Sequence, residues 1–254
     1  MADLYKKPSL TYLLILVCVL VFFYEIYYGL QNGSFGSEGF NNSISKLFND
    51  YGFSFQNLLD KKIWVFITSV FFHADPEHLI LNMIALFIFG RVVEMNFGRK
   101  KFLVIFLITA VVGNLAFLII SILTNSFGTI VIGASAAIFG LLGAAMLVKP
   151  FEFVFYPYLI PVPLILVAML YMLYNIASFL LVVVNLQESN ISYISHIGGL
   201  VAGMIFGFRE EGSKKGFAVL LFLLLILIAV PFILVIFNYL ETFNYVSILS
   251  KFFK

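Results

Sequence analysis

Gly133-Ala134-Ser135-Ala136-Ala137-Ile138-Phe139-Gly140 places a glycine-framed serine at the head of an apolar stretch. A second apolar stretch carries a histidine framed the same way, in Ser195-His196-Ile197-Gly198-Gly199-Leu200-Val201-Ala202-Gly203. A hydroxyl and an imidazole are costly in hydrocarbon unless each finds a polar partner, and here the best available partner is the other. The pair suggests a serine nucleophile with a histidine base inside a bilayer. Its setting, read outward, is an all-α polytopic bundle of membrane helices.

Composition agrees with that setting. The chain has 254 residues, 62% of them hydrophobic and 11% charged, against about 25% charged in an ordinary soluble domain. With 31 phenylalanines besides, too little polar surface remains to cover a water-soluble globule. A net charge of +2 is too small to imply a nucleic-acid partner. The single cysteine, Cys18, excludes an intramolecular disulfide.

Seven apolar segments follow one another, roughly over 9–30, 77–98, 102–124, 133–149, 153–184, 192–208 and 216–239. The first is too long for a removable signal and lacks a small-residue cleavage site, so it reads as a span. The fourth and sixth carry the serine and the histidine and are only about 17 residues long, near the minimum for crossing. Short helices of this kind fit a position among longer neighbours. With the N-terminus inside, Lys6, Lys7, Arg99, Lys100, Lys101, Lys149, Arg209, Lys214 and Lys215 fall on the cytoplasmic side, against Lys46, Lys61, Lys62, Lys251 and Lys254 outside. That bias favours a cytoplasmic N-terminus and puts Ser135 and His196 near the outer face.

The connection over 31–76 reads as the longest non-helical stretch, its first part loosened by Gly33, Gly36 and Gly39. Within it, the run Ile63-Trp64-Val65-Phe66-Ile67-Thr68-Ser69-Val70-Phe71-Phe72 is apolar but too short to cross. It suits a lid on the bundle, or a segment lying in the interface or partly re-entrant, with Trp64 at headgroup depth.

His78 and Asn82 are four apart and share one helix face. Both can donate hydrogen bonds to an oxyanion, and the backbone N–H of Ser135, at a helix start, could add a third. His73, His78 and His196 all fall near outer span ends. Gly199 and Gly203 lie on the face of His196, while Gly140, Gly143 and the neighbouring alanines keep the serine helix slim. Glycines alone would mean ordinary membrane-helix packing; joined to Ser135 and His196 they read as the means of bringing the two together.

These residues resemble the rhomboid intramembrane serine proteases over roughly 60–208. The resemblance rests on His78-x-x-x-Asn82, Gly133-x-Ser135 and His196-x-x-Gly199-x-x-x-Gly203, in that order, in the second, fourth and sixth spans, with Gly90-Arg91-Val92-Val93-Glu94 and Gly98 beside them. It implies a six-helix catalytic core over 1–208, with 209–254 adding a linker, a seventh helix and a tail. It also implies Ser135 as nucleophile, His196 as general base, and His78 and Asn82 at the oxyanion hole. Gly133, Gly199 and Gly203 would support packing, and Phe139 would lie beside the base. No cofactor or metal is implied. Where the family commonly has glycine after the serine, this chain has Ala136, whose methyl narrows the approach of a neighbouring element.

No acid is expected to complete a triad, since Glu94 is the one carboxylate read as buried and it lies towards the cytoplasmic end. Glu94 with Arg91 reads as a structural pair, Asn114 as an interhelical hydrogen-bonding group, and Tyr171, Tyr174 and Asn175 as packing residues. A metal held by His73, His78 and His196 lacks acidic or Cys ligands and the usual spacing. The expected partners are transmembrane protein substrates and the lipid bilayer, and the expected location is the cell membrane of a prokaryote. Two other classes fit the residues less well. A catalytically inactive rhomboid-like protein that binds membrane helices is disfavoured by the presence of all four site residues. A transporter or channel is disfavoured by the lack of paired intramembrane charges and of a two-fold hydropathy repeat.

Overall fold

A computed structural model describes residues 10–123, 125, 127–155, 161–183 and 193–211. The first long helix, α1 (Leu10–Leu30), turns Leu13, Leu16, Leu20 and Phe23 outward and Leu14, Cys18 and Phe22 inward. Its N-terminal amides are capped from a distance. Glu94 accepts from Leu10 N and Thr11 N, both at 2.9 Å, and from the Thr11 hydroxyl at 2.6 Å. A carboxylate at a helix N-terminus satisfies unpaired N–H groups and meets the positive end of the dipole. Glu94 is therefore structural, as expected, but its cationic neighbour is Arg99, 3.6 Å away. Arg91 instead donates to the Tyr12 hydroxyl at 2.6 Å, because it stands on the turn facing α1.

The connection over 31–76 is ordered and largely helical, contrary to the expectation of a loose loop. Ser37 caps α2 (Glu38–Tyr51) by accepting from Phe40 N, and Phe40, Ser43 and Leu47 turn inward while its polar face turns out. The glycines lie before and at the start of this helix, and its amphipathic period outweighs them. Short helices α3 (Phe55–Leu59) and α4 (Val65–Thr68) follow, with a 3₁₀ turn over Ser69–Phe71. The apolar 63–72 run thus forms about two turns and cannot cross.

Asp75 caps α5 (Pro76–Ala85) by accepting from His78 N, with Pro76 at the first helical position. A π-turn over Leu86–Gly90 joins it to α6 (Arg91–Phe97), so the chain stays helical from Pro76 to Phe97 and stops at Gly98, φ +81°. Next comes α7 (Arg99–Leu123). Among the described residues, α1, the Pro76–Phe97 helix and α7 are long and apolar enough to cross a membrane. The protein is an integral membrane protein.

The centre of the bundle is α8 (Ser135–Val148), in which every side chain from Ala136 to Leu147 is buried. Its 14 residues span about 21 Å at 1.5 Å per residue, well short of the ~30 Å hydrocarbon core. The fifth apolar segment begins differently from its sequence reading. Phe153–Phe155 (β1) pairs antiparallel with Pro161–Pro163 (β2), and only then does α9 (Leu164–Val183) start. Pro161 and Pro163 supply no N–H to a helix, so helix begins after them. In α9, Tyr171 packs edge-on against Phe89, whereas Tyr174 faces outward at 67% exposure. The side chain of Asn175 and the whole of the expected seventh span, 216–239, lie outside the described residues.

Helix α10 (Tyr193–Glu211) lies directly on α8. A Cβ on Gly199 would run into the Ala136 carbonyl, and one on Gly203 into the Gly140 carbonyl. Further along, one on Gly207 would stand 2.9 Å from the Ala144 carbonyl. Backbone therefore meets backbone every fourth residue, as small-xxx-small faces allow. Ala136, the departure from the family pattern, is accommodated by Gly113 of α7, where a Cβ would stand 2.7 Å from the Ala136 methyl. Gly203→Leu should destabilise the fold in detergent by about 3 kcal/mol and so lower its unfolding midpoint, while Val201→Leu, on an outward position, should leave it nearly unchanged.

Candidate active site

Ser135 owes its place to the segment before it. Val131 exchanges two backbone hydrogen bonds with Phe53, at 2.8 and 2.9 Å. Gly133 then donates its N–H to the Ser69 carbonyl at 2.8 Å. Ser69 is itself held, since its hydroxyl accepts from Asn114 Nδ2 at 3.3 Å; the same nitrogen reaches the Phe66 carbonyl at 3.4 Å. Asn114 is thus the expected hydrogen-bonding group, with the 63–72 run as its partner. Gly133 has φ +114°, a backbone state that a Cβ disfavours. From there the chain turns into α8, whose first intrahelical bond runs from Ile138 N to the Ala134 carbonyl at 2.9 Å. The amides of Ser135, Ala136 and Ala137 precede it and sit at the positive end of the helix dipole, with no side-chain cap on Ala134.

His196 reaches this helix end from α10. Its Nε2 lies 2.6 Å from Ser135 Oγ, the distance of a strong O–H···N bond. The ring lies flat on Phe139, centroids 4.7 Å apart at 10°, and Tyr193 meets it edge-on at 6.0 Å and 88°. Phe139 and Tyr193 thereby fix the plane of the imidazole from two sides. Gly199 and Gly203, on the same helix, let the backbones close to the distance that the pair needs.

His78 and Asn82 stand beside Gly133, two residues before Ser135. Ala74 N donates to His78 Nδ1 at 3.4 Å. A backbone N–H cannot accept, so Nδ1 carries the lone pair and the neutral ring holds its proton on Nε2. That Nε2 is 2.7 Å from the point a Cβ on Gly133 would occupy, and Asn82 Nδ2 is 3.8 Å from the same point. Two side-chain donors thus converge on a space kept open because residue 133 has no side chain. Asn82 Nδ2 also donates to the His78 carbonyl at 2.9 Å, which leaves it a second N–H.

Behind His78 lies His73, fully buried, its ring 5.1 Å from that of His78. Nδ1 of His73 is 3.2 Å from the Phe71 carbonyl, so Nδ1 is the protonated nitrogen. Burial pushes its pKa down to about 3, and the neighbouring His78 adds to the effect. Its backbone N–H donates to Glu25 Oε1 at 3.2 Å. Glu25, at 2% exposure, is a second buried carboxylate that the sequence reading left among loop and span-end groups. It had one signal, a lone charge inside the 21 residues of α1. Tyr193 and Ser69 were missed as well. Tyr193 was findable, three residues before His196 on one helix face; Ser69, acting through its backbone, was not. Among the described residues, no group of three or more His, Cys, Asp or Glu could hold a metal ion.

A serine and a histidine thus meet at a helix start without a side-chain cap, within a bundle of apolar helices and with further donors close by. The Rhomboid domain profile matches residues 60–210. The chain is 29% identical over 236 residues to rhomboid protease GluP of Bacillus subtilis, covering 89% of this chain and 40% of that protein. It is 30% identical over 208 residues to rhomboid protease AarA of Providencia stuartii, covering 78% of this chain and 70% of AarA. With the putative rhomboid protease YdcA of Bacillus subtilis it shares 28% identity over 152 residues, covering 60% of this chain and 69% of that protein. The chain belongs to the rhomboid family.

The depressed His73 pKa fixes a sign for stability against pH. The unfolded chain binds a proton near the ordinary histidine value of 6.5 and the folded one only at about 3. The stabilisation from neutral His73 is therefore present above pH 6.5 and lost as pH falls towards 3. Thermal unfolding midpoints in detergent should drop between pH 7 and pH 4, and by less in His73→Asn, whose side chain does not titrate.

Proposed function

We propose that the protein is an intramembrane serine endopeptidase that cuts transmembrane-helix substrates near the outer face of the membrane. The observation that carries this reading is the 2.6 Å approach of His196 Nε2 to Ser135 Oγ. Ser135 Oγ attacks the scissile carbonyl as its proton passes to His196 Nε2. The resulting oxyanion is met by His78 Nε2–H, the free Asn82 N–H and the Ser135 amide. His196 then gives its proton to the leaving amine, which departs as the acyl-enzyme forms. Water, deprotonated by the same nitrogen, attacks the ester and restores Ser135.

Six helices form the core in this reading, a seventh follows within 209–254, the N-terminus is cytoplasmic, and the site opens outward in the cell membrane of a prokaryote. Substrates arrive as helices whose carbonyls are held in their own hydrogen bonds, so the cut requires local unwinding. Gly or Pro near the scissile bond should raise cleavage, and a Leu/Ala-rich stretch should lower it; a series of single-span substrates read on gels checks this.

With purified protein and such a substrate, Ser135→Ala and His196→Ala should each remove nearly all cleavage, and the double variant should be no worse. A fluorophosphonate probe should label Ser135. Substantial turnover in either folded single variant overturns the assignment. Capture of membrane helices by a wild type that neither cuts nor labels would point to the inactive binding relative. His78→Ala or Asn82→Ala should cost on the order of 10²–10³ in rate, the range for losing one such donor; unchanged rates in both would mean that other groups meet the oxyanion.

A further inference from the structure

The Nδ1 side of His78 rests on a chain of polar contacts that begins in α1. Glu25 Oε1 accepts the His73 N–H at 3.2 Å. His73 is anchored a second time by its own Nδ1–H to the Phe71 carbonyl, also 3.2 Å. The next amide, Ala74 N, is the one aimed at His78 Nδ1. The residue after that, Asp75, accepts His78 N at 2.8 Å. Residues 73–75 thus form a bridge with one foot on α1 and the other on α5.

We infer that Glu25 is a positioning residue for the oxyanion donor His78, holding through residues 73–75 the amide that decides which nitrogen of His78 carries its proton. The inference rests on the protease reading above. The bond that selects the tautomer is 3.4 Å long, at the outer limit of N–H···N contact, so a shift of a few tenths of an ångström removes it. The His73 N–H, fully buried, loses its acceptor if the carboxyl goes, and a buried unpaired N–H drives the bridge to move. Once Ala74 no longer donates to Nδ1, the proton can sit there. Nε2 then turns a lone pair towards the oxyanion in place of a proton. This loss falls on the transition state and leaves ground-state binding alone. A carboxyl that merely satisfied a buried amide would affect stability without acting through His78.

The chain has only three histidines, so selective ¹⁵N-histidine labelling of the full protein in detergent resolves each ring. In wild type, His78 should show a protonated Nε2 and a bare Nδ1. Glu25→Gln, which keeps an acceptor oxygen, should preserve that pattern and most of the activity. Glu25→Leu should mix the two tautomers and lower kcat roughly 10- to 100-fold, below the range for outright loss of a donor, with KM nearly unchanged. In a His78→Ala background, Glu25→Leu should cost nothing further. Glu25→Ala, which leaves space for water, takes its place if the leucine variant does not accumulate. The proposal is overturned by a His78 proton on Nδ1 in wild type, by an unchanged tautomer in a folded Glu25→Leu or Glu25→Ala variant, or by an equal loss without His78. An inactive wild type in which His78 is protonated at Nε2 and Glu25→Leu mixes its tautomers would overturn the protease reading, leaving only the control of the His78 tautomer by Glu25.

Discussion

Lipid tails are as apolar as leucine, so two membrane helices gain nothing by hiding apolar surface from each other. What holds α10 to α8 is the close contact of their backbones where Gly199 and Gly203 cross Ala136 and Gly140. The rest of the site depends on that contact. It sets the 2.6 Å between His196 and Ser135, and it brings the His196 ring down onto Phe139. It also explains why α7 carries Gly113 opposite the Ala136 methyl. A bundle with larger residues at these crossings could hold the same side chains and never bring them into contact.

Around this buried centre, polar side chains do specific tasks. Glu94 caps the start of α1 and Asp75 that of α5; Asn114 ties α7 to the short helical run before α5. Glu94 and Asn114 are buried, and each has a partner within reach, as buried polar groups in hydrocarbon require. The α1 helix is held at both ends by carboxylates and amides, Glu94 meeting its N-terminal amides and its own Glu25 meeting the His73 amide. An outer helix with so many outward-facing apolar side chains is thereby fixed against the core by polar bonds.

Much of this was legible in the residues. A hydroxyl and an imidazole placed in apolar runs announce themselves, because hydrocarbon leaves them few alternatives. Helix-face arithmetic brought His78 to Asn82 and Gly199 to Gly203, and the short fourth segment read as a helix among longer ones. Three things were not legible. The helicity of 38–51 was masked by glycine and asparagine, residues that signal turns until a packed face overrides them. The hairpin before α9 was hidden because its prolines sit in an unbroken apolar run. The partners of Glu94 and the burial of Glu25 depend on how α1 meets the loops, and sequence spacing carries no record of contacts between distant segments.

The central helix has one more consequence. At 14 residues it is several ångströms shorter than the hydrocarbon around it, and its serine stands at one end. A bilayer around such a core either thins locally or leaves a dip that headgroups and water fill, at a cost of fractions of a kcal/mol per ångström of mismatch. Water can then come close to Ser135 by the shape of the membrane surface. The depth of the serine below that surface becomes a property shared between the protein and its lipids. The same chain placed in a thicker membrane holds its hydroxyl further from water although no residue has moved.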